Sequence, residues 1–290
     1  KQQDAMNTFK DLKSLTRITA KAYGISSSIL RSLEDKLFIV RAKTEIIPLY
    51  DSIKEIENKK KFNEEQKKAI KKIQEGSDNQ VYLLNGITGS GKTEVYMEAI
   101  LEVIEKGSQA LVLIPEIGLT PQTEDRFKKR FGSKVISMHS NKNDRERLDA
   151  WIAASRGLVD VVIGTRSSVF TPFLDLGMIV VDEEHDLSYK QAERFRYSAR
   201  DIAIYRAKLL NIPLILASAT PSLESIKNSL DNKYSLIELK KRATGAELPL
   251  YKSIDLRGKD LINGFSEELL KEIDFELQNK NQVLIFINRR

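Results

Sequence analysis

The 290-residue sequence has no cysteine, one tryptophan and two histidines. Without thiols there are no disulfides and no thiolate metal sites, a composition compatible with a reducing cytosol. His139 and His185 stand far apart in the chain, so no metal site built from protein ligands is expected. No apolar run approaches the roughly 20 residues that span a bilayer. The N-terminus lacks the pattern of a secretory signal. There is no internal repeat and no low-complexity segment. What is present is a globular composition, 41% hydrophobic and 30% charged, in a length that suggests one or two domains. The net charge of +6 leans towards a polyanionic partner, a hint many basic proteins share. The chain starts at Lys1 and stops at Arg290 just after a strand-like run, so it reads as a piece of a longer protein.

The most informative stretch is Gly86-Ile87-Thr88-Gly89-Ser90-Gly91-Lys92-Thr93, which fits G-x-x-x-x-G-K-[ST] in full. Glycines let successive backbone N–H groups converge on phosphate oxygens. Lys92 reaches the β- and γ-phosphates, and the Thr93 hydroxyl is a Mg²⁺ ligand. The apolar run from Val81 to Leu84 suits a buried strand. Tyr96, Ala99, Ile100, Val103 and Ile104 recur at helical spacing, so the loop opens a helix whose positive end faces the phosphates.

From about residue 81, β-rich runs at 81–85, 110–114, 135–138, 159–163, 178–181 and 213–217 alternate with amphipathic or polar stretches. That alternation predicts an α/β fold, a mostly parallel sheet with helices on both faces. The single Trp151 is expected on the core side of its helix. Before residue 60 the pattern changes. A helix over Leu12–Ala22, a turn at Gly24 and a second helix capped by Ser26-Ser27-Ser28 and running to Asp35 precede two strand-like runs, 37–40 and 44–47. Helix, turn, helix and hairpin is a winged-helix order over 1–53 that either places 27–35 in a DNA groove or acts as a spacer. Residues 54–61 read as a solvated linker.

Met178 to Val181 followed by Asp182-Glu183-Glu184-His185 is a hydrophobic strand ending in acids. Asp182 is assigned to Mg²⁺ and Glu183 to the attacking water. Gln66, in "FNEEQ" at 62–66, is either an exposed polar residue or, through its donor–acceptor amide, a reader of adenine. Phe62 beside it suits the core. Between Ser188 and Lys208 six basic residues (Lys190, Arg194, Arg196, Arg200, Arg206, Lys208) face two acidic ones, with Tyr189, Phe195 and Tyr197 interleaved. That mixture suits single-stranded nucleic acid, since cations track phosphates and rings stack on bases. It also suits a helix with core aromatics and a solvated basic face.

The ordered set "FNEEQ", "GITGSGKTEVY", "IPEIGLTPQ", "MHS", "IGTRSSVFTP", "VVDEEHDLSYKQ", "RYSARDIA", "LASATPS" and "LIFINRR" resembles superfamily-two DNA helicases and, more narrowly, the bacterial replication-restart helicases. The combination of "DEEHD-SYKQ" with "RYSARD" discriminates far better than the phosphate loop. The resemblance implies a RecA-like ATP-binding lobe over 62–235, a crossover and the start of a second lobe over 236–290, and the winged-helix module upstream. In that second part Phe265–Leu277 reads as a helix and Val283–Ile287 as a strand. It implies that Gln66 and Phe62 lie at adenine, that Gly86, Thr88, Gly89, Ser90, Gly91, Lys92 and Thr93 hold nucleotide, and that Lys92, Asp182 and Glu183 are catalytic. His185, Ser218 and Thr220 would couple hydrolysis to movement. Thr120, Thr165, Arg166, Tyr189, Lys190, Arg194, Arg196 and Tyr197 would meet DNA.

The implied cofactors are ATP and Mg²⁺, and the implied partners single-stranded and forked DNA, primosome proteins and single-strand-binding protein. The implied setting is the bacterial cytoplasm at the nucleoid, with no membrane. The family's zinc element belongs to a second-lobe insertion that this sequence does not contain, so no zinc is expected here. The arginines that complete such ATP sites from the second lobe are likewise not in the sequence, and slow hydrolysis follows as an expectation. The alternatives are another DNA-stimulated superfamily-two ATPase or translocase, or a scaffold in which nucleotide is structural.

Overall fold

The computed structural model describes residues 2–12, 17–40, 61–77, 79–243 and 250–287. Its centre is a seven-stranded, wholly parallel sheet built from β1 (Val81–Gly86), β2 (Gln109–Leu113), β3 (Val135–Met138), β4 (Val161–Gly164), β5 (Leu176–Asp182), β8 (Leu214–Ser218) and β9 (Ser235–Leu239), in the order β3-β4-β2-β5-β8-β1-β9. Two two-stranded ribbons stand outside it: β6 (Lys190–Gln191) with β7 (Tyr197–Ser198), and β10 (Leu261–Ile262) with β11 (Phe265–Ser266).

Period-two alternation sends each strand's side chains to two cores. Ala110, Val112, Met178, Val180, Ile215 and Ala217 point to one face, where α4 (Glu64–Gln74), α5 (Lys92–Glu105) and α6 (Pro121–Phe131) cover them. Leu111, Leu113, Ile179, Val181, Leu214 and Leu216 point to the other, under α7 (Asp144–Ser155) and α8 (Ala199–Leu210). α9 (Leu223–Leu230) follows β8. All the strand-like runs read from sequence in this part are strands, within two residues at their ends. The expected lobe boundary at 235 falls on the first residue of β9, which pairs with β1 and carries the sheet to Leu239.

Trp151 corrects an expectation. α7 lies on the sheet through Ala150, Ala153 and Ala154, and the indole is 41% exposed. Small side chains let the helix approach closely, which leaves the ring beside that face rather than beneath it.

At the N-terminus, α1 (Gln2–Leu12), α2 (Arg17–Ala22) and α3 (Ser27–Asp35) enclose a small core of Ala5, Ala20, Ile25 and Leu33. Ser26 caps α3 by accepting from Ile29 N, as its position predicts. No strand follows at 37–40. The backbone turns there, with Leu37 left-handed at φ 58° and 85% exposed. The second expected strand, 44–47, and the linker up to residue 60 lie outside the described residues.

α10 (Glu267–Gln278) forms where a helix is expected, but no strand forms at 283–287. Leu284 and Phe286 are almost fully exposed, and among the described residues no strand pairs with them. Among the described residues no helix is long and apolar enough to cross a membrane.

Candidate nucleotide-binding site

A parallel sheet delivers the carboxyl ends of its strands to one edge, where α/β proteins place ligands. The phosphate loop follows β1, "IPEIGLT" follows β2, "GTRSS" follows β4, the acids end β5 and "SAT" ends β8. Adjacency of β5, β8 and β1 in the sheet brings the acids, "SAT" and the phosphate loop side by side.

The loop is shaped for an anion. Gly89 (φ 80°) and Gly91 (φ 83°) are left-handed, and Gly91 opens α5 with no side-chain cap. A Cβ on Gly91 would come within 2.3 Å of Gln66 Nε2, and one on Gly86 within 2.5 Å of Ser90 Oγ. Ser90 Oγ is buried without a hydrogen-bond partner among the described residues, an orphan that a phosphate oxygen would satisfy. Lys92 is buried and its Nζ donates to Gly86 O at 2.8 Å. The ammonium thus caps the carbonyl at the base of the loop, where an incoming phosphate would compete for it.

Gln66 is neither an exposed polar residue nor a free amide. It is buried in a capping box: Asn63 N donates to its Oε1 and Asn63 Oδ1 accepts from its N–H, both at 2.9 Å. Its Nε2 donates to Ser90 O at 2.9 Å. The residue therefore ties the start of α4 to the phosphate loop, with one amide proton and one lone pair left for a base. Phe62 packs against the core under α4 and α5. A second strap crosses the loop from the other side. Ala243 N donates to Gly89 O at 2.8 Å, and Glu65 Oε2 accepts from Lys240 N and Lys241 N.

Asp182 ends β5 facing a cavity of about 470 Å³ lined by Thr93, Tyr96, Glu183 and His185, among others. Burial, and then the neighbouring Glu183 carboxylate, push its pKa up to about 6, although Tyr96 Oη donates to Oδ2 at 3.0 Å. A carboxylate this short of positive charge suits a divalent cation. Thr93 and Asp182 would hold Mg²⁺, which when bound neutralises phosphate charge. Lys92 would orient the terminal phosphate and Glu183 would take a proton from water.

Glu183 has a left-handed backbone, φ 45°, unusual for a residue with a side chain. His185 Nδ1 lies 2.8 Å from Ser218 Oγ and 3.6 Å from Glu183 Oε2, and its Nε2 lies 3.4 Å from Thr220 Oγ1. The acids and the "SAT" segment are thus joined through one imidazole.

The residues expected at DNA separate into two groups. Lys190, Arg194, Arg196 and Phe195 are exposed, with Arg194 left-handed at φ 55° at the bend between β6 and β7. Tyr197 is half-buried between Phe170 and Phe195, centroids 5.0 and 5.8 Å away. Thr120 is exposed but its hydroxyl caps α6.

Thr165 is largely buried, yet it lines a cavity of about 190 Å³ with His139, Arg147 and Arg166. Tyr189 is a correction. The Tyr189 ring is buried and cannot stack on a base. Its hydroxyl lies 2.6 Å from Asp182 O and 3.0 Å from Leu113 O, donating into that pair of carbonyls. Arg166 lines the cavity at Thr165 with its Nη1 anchored, donating to Ser188 O and Lys190 O at 3.0 and 3.1 Å. Removing the hydroxyl in Tyr189→Phe takes away the one O–H that the Leu113 and Asp182 carbonyls share. The expected loss is about 1–3 kcal/mol of stability, read from urea unfolding.

Sequence reading missed Glu184. Its side chain is fully buried and accepts from Ser222 N (2.7 Å), Ser222 Oγ (3.1 Å), Ser225 Oγ (3.0 Å) and Arg200 Nη1 (3.0 Å). Only its place in an acidic run marks it in the sequence, and acidic runs are ordinarily solvated.

The DEAD/DEAH box helicase model matches residues 63–229, and the chain belongs to that family. Its sequence relatives narrow the class. The chain is 45% identical over 272 residues to the replication restart protein PriA of Haemophilus influenzae, covering 91% of this chain and 37% of that protein. It is 42% identical over 264 residues to PriA of Bacillus subtilis, covering 89% and 31%. The chain thus spans about a third of the length of these curated relatives. A crystal structure of the DUF1998 helicase MrfA superposes with a TM-score of 0.51 at 18% identity, covering 90% of this chain and 38% of that one, and supports the fold.

Proposed function

We propose that this chain is the ATP-binding motor lobe of a replication-restart DNA helicase, coupling ATP hydrolysis to 3′-to-5′ movement along single-stranded DNA. The observation that carries the reading is the convergence of three devices on one sheet edge. The phosphate cradle, the Asp182–Glu183 pair and the His185–Ser218–Thr220 contacts occupy neighbouring strand ends. A scaffold with structural nucleotide has no need of the last two. The PriA names of the sequence relatives supply the DNA-restart context, and forked DNA, primosome proteins and single-strand-binding protein are the partners this proposal adds. The nucleoid of the bacterial cytoplasm is the corresponding setting.

The exposed loop of residues 190–197 is the proposed contact for single strands. It combines the exposed cations Lys190, Arg194 and Arg196 with Phe195, 71% exposed. Phe195→Ala is expected to weaken single-stranded DNA binding by about 1–3 kcal/mol, the worth of one stacked base, as read by fluorescence anisotropy, with unchanged thermal stability.

Hydrolysis of this type draws on a cation reaching the terminal phosphate from across a cleft, worth on the order of 10³-fold or more. Arg126 lines the cavity beside Asp182 but is committed to Glu94. Residues 1–290 alone are therefore expected to bind nucleotide and turn it over slowly. The test is ATP hydrolysis with and without single-stranded DNA, together with strand separation on forks by the full-length protein. Rapid DNA-stimulated turnover by residues 1–290 would defeat the need for a second body. A full-length protein with no DNA stimulation would defeat the motor reading.

A further inference from the structure

We infer that Arg200 is a positioning residue for water activation, acting through the buried carboxylate of Glu184 on the backbone of Glu183. The inference rests on the motor reading above and concerns a residue to which that reading gives no part in hydrolysis.

Three observations meet here. First, Glu183 holds a left-handed backbone at φ 45°. A side-chain-bearing residue keeps such a conformation only where its surroundings over-determine it. Second, the next residue supplies that determination. Glu184 N donates to Ala217 O at 3.1 Å, which pins the turn to the end of β8, while its carboxylate is fully buried and takes four hydrogen bonds. With residue 184 driven inward, residue 183 is turned outward into the cavity that also holds Asp182 and Thr93. Third, the cation that makes this buried carboxylate tolerable is Arg200, in the first turn of α8, immediately after β7. Its Nη1 also donates to Ser222 Oγ at 2.9 Å, and Ser222 caps α9 two residues beyond Thr220.

Arg200 thus follows the exposed loop's outgoing strand by two residues and bonds to Ser222 in the segment that follows "SAT". Neither Arg200 nor Glu184 need meet nucleotide. A buried ion pair is weak evidence of stabilisation, since well-packed apolar replacements often serve as well. At this turn the pair's part is placement. Displacing a catalytic group by about 1 Å can cost on the order of 10²-fold in rate.

The test uses the full-length protein and three variants: Arg200→Lys, Arg200→Ala, and the double replacement Glu184→Met with Arg200→Met. DNA-saturated kcat and the Kd for ADP are measured for each, with melting temperature as a control. Expected are kcat values lowered on the order of 10- to 100-fold for Arg200→Ala and the double variant, with ADP Kd within about twofold of the parent, because Lys92, Thr93 and the loop glycines are untouched. Arg200→Lys keeps the charge but loses the planar fork, and is expected to fall between.

A purely structural pair gives a different pattern. The double variant, with no buried charge left unpaired, would fold and recover parental kcat, and that result overturns the inference. If the double variant does not fold, Arg200→Lys decides: parental kcat in a folded Lys variant overturns the inference, and a lowered kcat with unchanged ADP Kd upholds it. A parent without DNA-stimulated hydrolysis defeats the motor reading instead, which keeps the two failures distinct.

Discussion

Replacing Lys92 with Ala is expected to lower kcat/KM for ATP hydrolysis by the full-length protein about 10²–10³-fold or more, and to weaken nucleotide binding, while the lobe stays folded. The side chain is unbranched and its ammonium is held 2.8 Å from Gly86 O inside the cradle. The truncation therefore removes a charge aimed at the phosphates without opening the sheet. In the ligand-free protein its cost is about 1 kcal/mol, that of one hydrogen bond. Steady-state kinetics beside a thermal melt separate the two effects. An active variant would remove the motor assignment.

Glu183→Gln carries the second large effect and the opposite signature. The amide keeps the shape and the turn but does not accept the proton of the attacking water. The expected result is a fall in kcat of about 10²–10⁴-fold, the range for losing a general base, with ADP binding unchanged. Single-turnover hydrolysis checks it. A Gln variant within about threefold of the parent would move the base elsewhere, and Asp182, with its pKa raised to about 6, would be the next residue to test.

The two variants divide the site along a line the sequence already draws. Phosphate loop, strand and helix are local: the pattern from Gly86 to Thr93, the apolar run before it and the helical spacing after it all lie within one βα unit. The acids at 182 and 183 are legible because a hydrophobic strand ends in them. What sequence conceals is the burial of polar groups. Gln66 gives no sign that both ends of its amide are occupied, since Ser90 O is its partner across a long sequence separation. The asparagine–glutamine capping box at 63–66 is readable as a helix start, and it leaves one amide proton and one lone pair of Gln66 for a base. Tyr189 sits among cations and rings, so composition assigns it to DNA. The fold turns it inward because the strand ends carrying Leu113 and Asp182 present carbonyls that need a donor.

Trp151 failed for a related reason. Helical spacing marks several faces of α7 as semi-apolar, and the choice fell to alanines that fit the sheet. The strands expected at 37–40 and 283–287 had suitable residues and no partner strand among the described residues. A strand is completed by its neighbours, so propensity alone does not produce one.

The central claim is that the glycine loop with Lys92 holds nucleotide phosphates, and calorimetric titration of Mg²⁺·ADP into residues 1–290 and into the Lys92→Ala variant tests it most directly. The account predicts saturable one-to-one binding by the parent chain, lost or weakened at least about tenfold in the variant, a difference of about 1.4 kcal/mol. Equal binding by the two, or none by the parent, would contradict it.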